Sequence, residues 1–229
     1  DQGMTIDIAV HVGTLGAVLL YFRRDIGVMV AGLLSLLAGR YTDGARLFLL
    51  IALGTLPVLV AGYFLARNGY MAMLRSAEVI AWTTLIFGLA LYFVDRLCLT
   101  VNRIDHLGYG GVLFIGLAQA LALVPGTSRS GITITAARLL GYERTEAAHI
   151  ALLLSVPTIL AAGGYAAWET YQADELALGA DAAVAAALAF VSAWLAIALM
   201  MRWLRHASYT PFVIYRILLG AGLLYWVYA

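Results

Sequence analysis

Residues 124–135 read VPGTSRSGITIT and gather Thr127, Ser128, Arg129, Ser130, Thr133 and Thr135 around Gly126 and Gly131, inside an otherwise apolar region. Residue types in that order point to anion binding. Ser128 or Ser130 and Gly131 stand at the start of a helical stretch, whose free N–H groups and dipole attract phosphate oxygens. Arg129 adds a planar fork of donors that matches two oxygens at once. An arginine inside a bilayer costs about 2.5 to 3.5 kcal/mol on insertion scales, so it is kept there for a partner or a pathway. The plainer alternative is a helix break whose hydroxyls cap the second arm, with Arg129 paired to a buried carboxylate.

Several phosphate chemistries fail on the residues themselves. All 14 basic residues are arginine, which excludes the G-K-[ST] ending of a P-loop and Schiff-base chemistry. The lipid phosphatases related to phosphatidate phosphatase need a lysine and an S-R-x5-H run, and here the fifth-spaced position is Thr135. A nucleophile elbow needs glycine where this chain has Ser130. The single cysteine, Cys98, allows no internal disulfide and reads as a small apolar residue. A net charge of +1, scattered along the chain, does not suggest nucleic acid.

The elements that must position the polar knot follow from composition. The 229 residues are 63% hydrophobic and 12% charged, whereas a soluble domain carries about 25% charged residues. This chain belongs in lipid, where only helices and closed barrels satisfy the backbone. Six stretches approach the roughly 20 apolar residues that a crossing needs: 4–22, 47–66, 79–96, 146–167, 182–201 and 210–228. Residues 26–39, flanked by Arg23, Arg24 and Arg40, are short and read as an interfacial or partly inserted helix. Residues 107–141 form two apolar arms around Pro125 and Gly126, and proline forbids one continuous helix, so they read as a re-entrant helical hairpin with its tip in the membrane.

If the chain starts outside, Arg23, Arg24, Arg40, Arg46, Arg96, Arg103, Arg138, Arg144, Arg202 and Arg205 fall inside, and only Arg67 and Arg75 outside. The loop 168–181, with Glu169, Asp174, Glu175 and Asp181, also lands outside. The hairpin then enters from the cytoplasmic side. Three crossings precede it and three follow, an odd number, so the two sets run in opposite directions as inverted-topology repeats. The expected fold is an all-α integral membrane protein of six transmembrane helices plus the hairpin. It is one membrane domain, 1–229, with a first repeat 1–96 that lacks its hairpin and a second repeat 107–229 that contains hairpin 107–141.

Other polar residues lie within the apolar segments. Asp7 and His11, four apart, share a helix face; they either satisfy each other or support a metal or catalytic histidine from behind. Glu146 and His149 read as a cytoplasmic structural pair. Arg216 lies several residues into the last crossing and is expected to pair with a carboxylate. Trp82, Trp168, Trp194, Trp203 and Trp226 sit mostly near segment ends, as in an interfacial belt.

PGTSRSGITI, preceded by GLAQALALV and followed by LLLSVP, resembles the second signature of the bacterial undecaprenyl-diphosphate phosphatases, the bacitracin-resistance family. TIDIAVHVGTLGAVLLYFRRDI at 5–26 and TPFVIYRILLG at 210–220 resemble that family's segments in the same order, so the likeness covers nearly the whole chain. The resemblance implies hydrolysis of undecaprenyl diphosphate to undecaprenyl phosphate and inorganic phosphate. That reaction recycles the lipid carrier for peptidoglycan synthesis and confers bacitracin resistance. It implies a multi-pass protein of the bacterial inner membrane with its site facing the periplasm, whose partners are the lipid bilayer and undecaprenyl diphosphate, with a homodimer allowed. It further implies that Arg129, Ser128 and Ser130 act catalytically, that Gly126, Thr127, Gly131 and Thr133 bind substrate, and that Asp7, His11 and Arg216 support them. His149 stands where the family more often has arginine.

The family's first signature, a glutamate-rich E-x-x-x-E run leading to Gly-His, has no counterpart here and is expected ahead of residue 1. The Mg2+ or Ca2+ that the resemblance implies would be held there, so these 229 residues alone are expected to be inactive or nearly so. Two other classes remain open on the residues: an inverted-repeat transporter or polyprenyl-phosphate flippase, because broken helices with polar tips also build transport sites, and a structural membrane protein.

Overall fold

A computed structural model of the protein describes residues 2–70, 74–98, 100–172 and 180–229. Its α-helices are α1 (Gln2–Tyr21), α2 (Arg23–Leu37), α3 (Asp43–Arg67), α4 (Ala77–Leu97), α5 (Tyr109–Ala120), α6 (Arg129–Leu139), α7 (Arg144–Gln172), α8 (Ala180–Leu204) and α9 (Thr210–Tyr228). Short 3-10 turns occupy Ile104–His106 and Leu121–Leu123. Among the described residues, α3, α4, α7, α8 and α9 are the five helices long and apolar enough to cross a membrane. The protein is an all-helical, multi-pass membrane protein.

The expected crossing at 4–22 falls in a bent helix pair that counts as a sixth candidate span. It is the helix α1, which with α2 makes a pair bent by 88°. Phe22 interrupts the helical dihedrals at φ −98° and ψ 27°, and Arg23 and Arg24 beside it are exposed. Two adjacent guanidinium groups are poorly tolerated deep in hydrocarbon, so the chain turns where they occur. Of the acidic loop expected at 168–181, residues 168–172 end α7 and 180–181 begin α8, while 173–179, with Asp174 and Glu175, lie outside the described residues.

The chain forms two compact units, Asp1–Leu49 with Leu153–Arg202 and Leu50–Leu152 with Trp203–Ala229. In the first, α1 meets α8 backbone to backbone: a Cβ on Gly13 would collide with the Ala186 carbonyl and stand 3.0 Å from Phe190 N. Such small-residue contacts are how helices approach closely where water supplies no driving force. Along α8, Val184, Leu188, Leu195 and Leu199 remain exposed, an apolar face suited to lipid.

The second unit contains the hairpin. Its arms, α5 and α6, have 12 and 11 residues, about 18 Å and 16 Å at 1.5 Å per residue. Neither can cross a hydrocarbon core of about 30 Å, so the chain turns back at Val124–Ser128. Helix α6 packs against both α4 and α5, and α9 lies along α4. Gly220 permits that contact, because a Cβ there would stand 3.1 Å from Leu85 Cβ and 3.2 Å from the Ala81 carbonyl. The Tyr228 hydroxyl donates to the Glu78 carboxylate farther along the same pair.

The hairpin's far end is locked by a buried carboxylate. Asp95 Oδ1 accepts from Arg138 Nε at 3.2 Å and Arg144 Nε at 2.8 Å, and its Oδ2 from Tyr209 N at 3.3 Å. Arg138 also donates to Thr100 Oγ1 at 3.1 Å and to the Tyr142 carbonyl. Arg138, counted among the arginines expected on the inner side, is 0% exposed and paired. Burial, and secondly Asp95, raise the Tyr209 hydroxyl well above the ordinary tyrosine pKa, so it stays a donor, to the Arg144 carbonyl at 2.7 Å. Glu146 is engaged nearby, accepting from Ile104 N at 2.9 Å.

Candidate active site

The hairpin tip is built from a tight turn and a helix start. Gly126 has φ +87°, and a Cβ on it would collide with Thr83 Oγ1 and the Ile80 carbonyl, so only glycine fits there. Ser128 caps α6, its Oγ accepting from Gly131 N at 3.2 Å. It does so at φ 68° and ψ 112°, a conformation that L residues rarely adopt. Backbone strain of this kind, about 1 to 3 kcal/mol, persists where the surroundings over-determine it and concentrates at functional sites.

The side chains around that turn divide into engaged and unengaged groups. Thr133 Oγ1 donates to the carbonyls of Arg129 at 2.9 Å and Ser130 at 3.1 Å, so its proton serves the first turn of α6. Thr135 does the same toward Gly131 at 2.7 Å. Ser130 is exposed. Thr127 is 0% exposed, and among the described residues its Oγ1 has no hydrogen-bond partner; the same holds for the buried Nη1 of Arg129. Leaving a buried polar group unmatched costs about 1 to 3 kcal/mol, and more for a charged one. An oxyanion at the tip would supply what these donors lack.

Arg216 reaches the same place from α9. Its Nη2 donates to the carbonyls of Thr84 at 3.2 Å, Gly126 at 2.9 Å and Thr127 at 3.0 Å. These carbonyls engage Nη2 alone: the buried Nε of Arg216 has no partner among the described residues, and the expected carboxylate is not among them.

A family model described as Bacitracin resistance protein BacA matches residues 1–222. The chain belongs to the bacitracin-resistance family. Among its relatives, the undecaprenyl-diphosphatase of Jannaschia sp. (strain CCS1) is 51% identical, over 100% of this chain and 86% of the relative. Undecaprenyl-diphosphatase 1 of Rhodospirillum rubrum is 50% identical, over 98% and 79%. The undecaprenyl-diphosphatase of Alcanivorax borkumensis is 46% identical, over 99% and 86%. The matches run through the tip, so this member of the bacitracin-resistance family carries Ser128, Arg129 and Ser130 within a collinear likeness.

Of the other residues expected to take part, Asp7 and His11 belong to the first unit. Both are exposed, and His11 Nδ1 donates to the Asp7 backbone carbonyl at 2.7 Å. A carbonyl only accepts, so Nδ1 carries a proton. The divalent cation does not fit the residues at hand: among the described residues no group of three His, Cys, Asp or Glu side chains is placed to hold one. The tip's groups are hydroxyls, N–H groups and guanidinium, which bind anions.

Thr83 and Thr84 are the site residues that the sequence reading passed over. Thr83 Oγ1 lies 2.6 Å from the Pro125 carbonyl, and Thr84 Oγ1 lies 3.2 Å from that of Gly126. The available signal was a pair of adjacent threonines in the middle of the apolar run 79–96.

Proposed function

We propose that this chain acts as an undecaprenyl-diphosphatase, hydrolysing undecaprenyl diphosphate to undecaprenyl phosphate and inorganic phosphate. It would act in a bacterial plasma membrane with its site toward the outer face, returning the lipid carrier to peptidoglycan synthesis and conferring bacitracin resistance. The single observation that carries the reading is the buried, unmatched Arg129 Nη1 beside the helix start at Ser128–Gly131. Membership of the bacitracin-resistance family supports the choice of substrate.

In this reading the terminal phosphate sits over the first turn of α6. Free N–H groups there and the Ser130 hydroxyl orient its oxygens, and Ser128 holds the turn open. Arg129 donates to the phosphoryl oxygens, which gain charge as a water oxygen bonds to the terminal phosphorus and the bond from that phosphorus to the bridging oxygen breaks, the bridging oxygen leaving on undecaprenyl phosphate. The apolar helices hold the prenyl chain in lipid and keep bulk water from the guanidinium, which strengthens its pull on the anion.

The test is release of inorganic phosphate from undecaprenyl diphosphate by the full-length protein in detergent containing Mg2+. Turnover that Arg129→Ala lowers by at least about 100-fold is expected. No release, or an Arg129→Ala rate within about tenfold of the parent, defeats the assignment. Movement of the lipid across vesicles without hydrolysis would favour a transporter instead.

A further inference from the structure

We propose that Arg216, together with Thr83 and Thr84, holds the hairpin tip in its anion-binding conformation by drawing three successive backbone carbonyls away from the anion. This rests on the function proposed above and makes Arg216 a positioning residue rather than a catalytic one.

Peptide groups force the logic. A carbonyl oxygen is the negative end of its peptide, so carbonyls aimed at the ligand would repel phosphate. Concave anion sites arise where successive N–H groups face one way, and the carbonyls must then find donors elsewhere. At this tip every carbonyl from 125 to 127 has one. That of Pro125 lies 2.6 Å from Thr83 Oγ1, whose single proton it shares with the Val79 carbonyl at 2.7 Å; Gly126 accepts from Thr84 at 3.2 Å and from Arg216 at 2.9 Å, and Thr127 from Arg216 at 3.0 Å. The donors come from α4 and α9, the two helices packed along each other, so the tip is gripped by a rigid pair.

The strain at Ser128 has the same origin. The peptides that Arg216 holds are those of Gly126 and Thr127, immediately before the serine at φ 68°. Without that grip the Thr127 carbonyl loses its donor and only Thr83 and Thr84 hold the turn, which can relax and swing carbonyls toward the ligand. Arg216 Nη1 lies only 3.6 Å from where a Cβ on Gly131 would stand, so the guanidinium sits against the first turn of α6. Gly88 makes room for it: a Cβ there would stand 3.1 Å from Arg216 Cβ and 3.5 Å from its Nε.

The test uses the full-length protein in detergent, with undecaprenyl diphosphate as substrate and inorganic pyrophosphate as a competing anion. Arg216→Ala is expected to lower kcat/KM by about 100-fold, as two released carbonyls would, and to weaken inhibition by pyrophosphate. Added guanidinium ion should restore at least about tenfold of that rate, which a variant that was merely unstable would not show. Thr84→Val should cost about fivefold alone and little more on top of Arg216→Ala, because both hold the Gly126 carbonyl. An Arg216→Ala enzyme within about threefold of the parent overturns the proposal, as does a loss that only follows the folded fraction, ignores guanidinium and multiplies with Thr84→Val. Should Arg216→Ala fail to fold, Gly88→Ala presses on Arg216 from behind and should slow turnover about tenfold; full activity in both Gly88→Ala and Thr84→Val then overturns it. A parent that releases no phosphate defeats the proposed function alone, and calorimetry of pyrophosphate binding to parent and variants still reads the clamp.

Discussion

Helix α6 carries an arginine near each end, and the two are used in opposite ways. Arg138 is 0% exposed and directs its guanidinium to Asp95, Thr100 and Tyr142. Arg129 opens the same helix with a buried Nη1 that has no partner among the described residues. Composition and helical context are alike, so the difference lies in what each end is for. A buried charge with all its bonds made ties elements together and offers nothing to a ligand. A buried charge with a bond unmade is destabilising until a ligand completes it, which is the condition of a binding site.

The comparison breaks most visibly through Asp95. Asp95→Ala strips Arg138 of its buried counter-charge and should cost about 3 to 5 kcal/mol. Loss of monodisperse protein, or a greatly lowered Tm in detergent, is expected; an unchanged Tm would mean that the cluster is not structural. Arg129→Ala should do the reverse. Turnover falls by about 100- to 1,000-fold, while Tm stays at or slightly above that of the parent, because an unmatched buried group has been removed.

Smaller effects sharpen the contrast. Ser128→Ala removes the cap on α6 and should lower stability by about 1 kcal/mol. Ser128→Gly should recover most of that, since glycine takes φ +68° without strain. Calorimetric unfolding of the two variants that ranked alanine at or above glycine would contradict the strained geometry. Arg144→Gln should matter least. Its side chain is 32% exposed and Arg138 still faces Asp95, so a change under about 1 kcal/mol is expected, and a larger one would make the two arginines equal partners.

Much of this was legible in the chain alone. Runs of apolar residues name their own crossings, because lipid leaves no other structure for them, and Pro125 with Gly126 marks the hairpin tip. The knot from Thr127 to Thr135 stands out by residue type as the polar stretch in an apolar region. What periodicity could not distinguish was the fate of individual arginines. In the sequence Arg138 counts as an orienting charge, and in the fold it is buried on Asp95; Arg216 is expected to meet a carboxylate, and its Nη2 holds backbone carbonyls while its buried Nε has no partner among the described residues. Asp95, Thr83 and Thr84 carried no local signal strong enough to single them out, since their roles depend on residues 42 to 114 positions away.

The amino-acid order alone places the protein in a membrane and sets which stretches are helical and where the chain must turn back. Those are properties of short segments, set by burial of apolar groups and by backbone hydrogen bonding within a single helix. Only the tertiary structure decided which polar groups are satisfied. A guanidinium's meaning depends on its partners, partners across helices are brought together by packing, and so the separation of structural from functional arginines appears only in the folded protein.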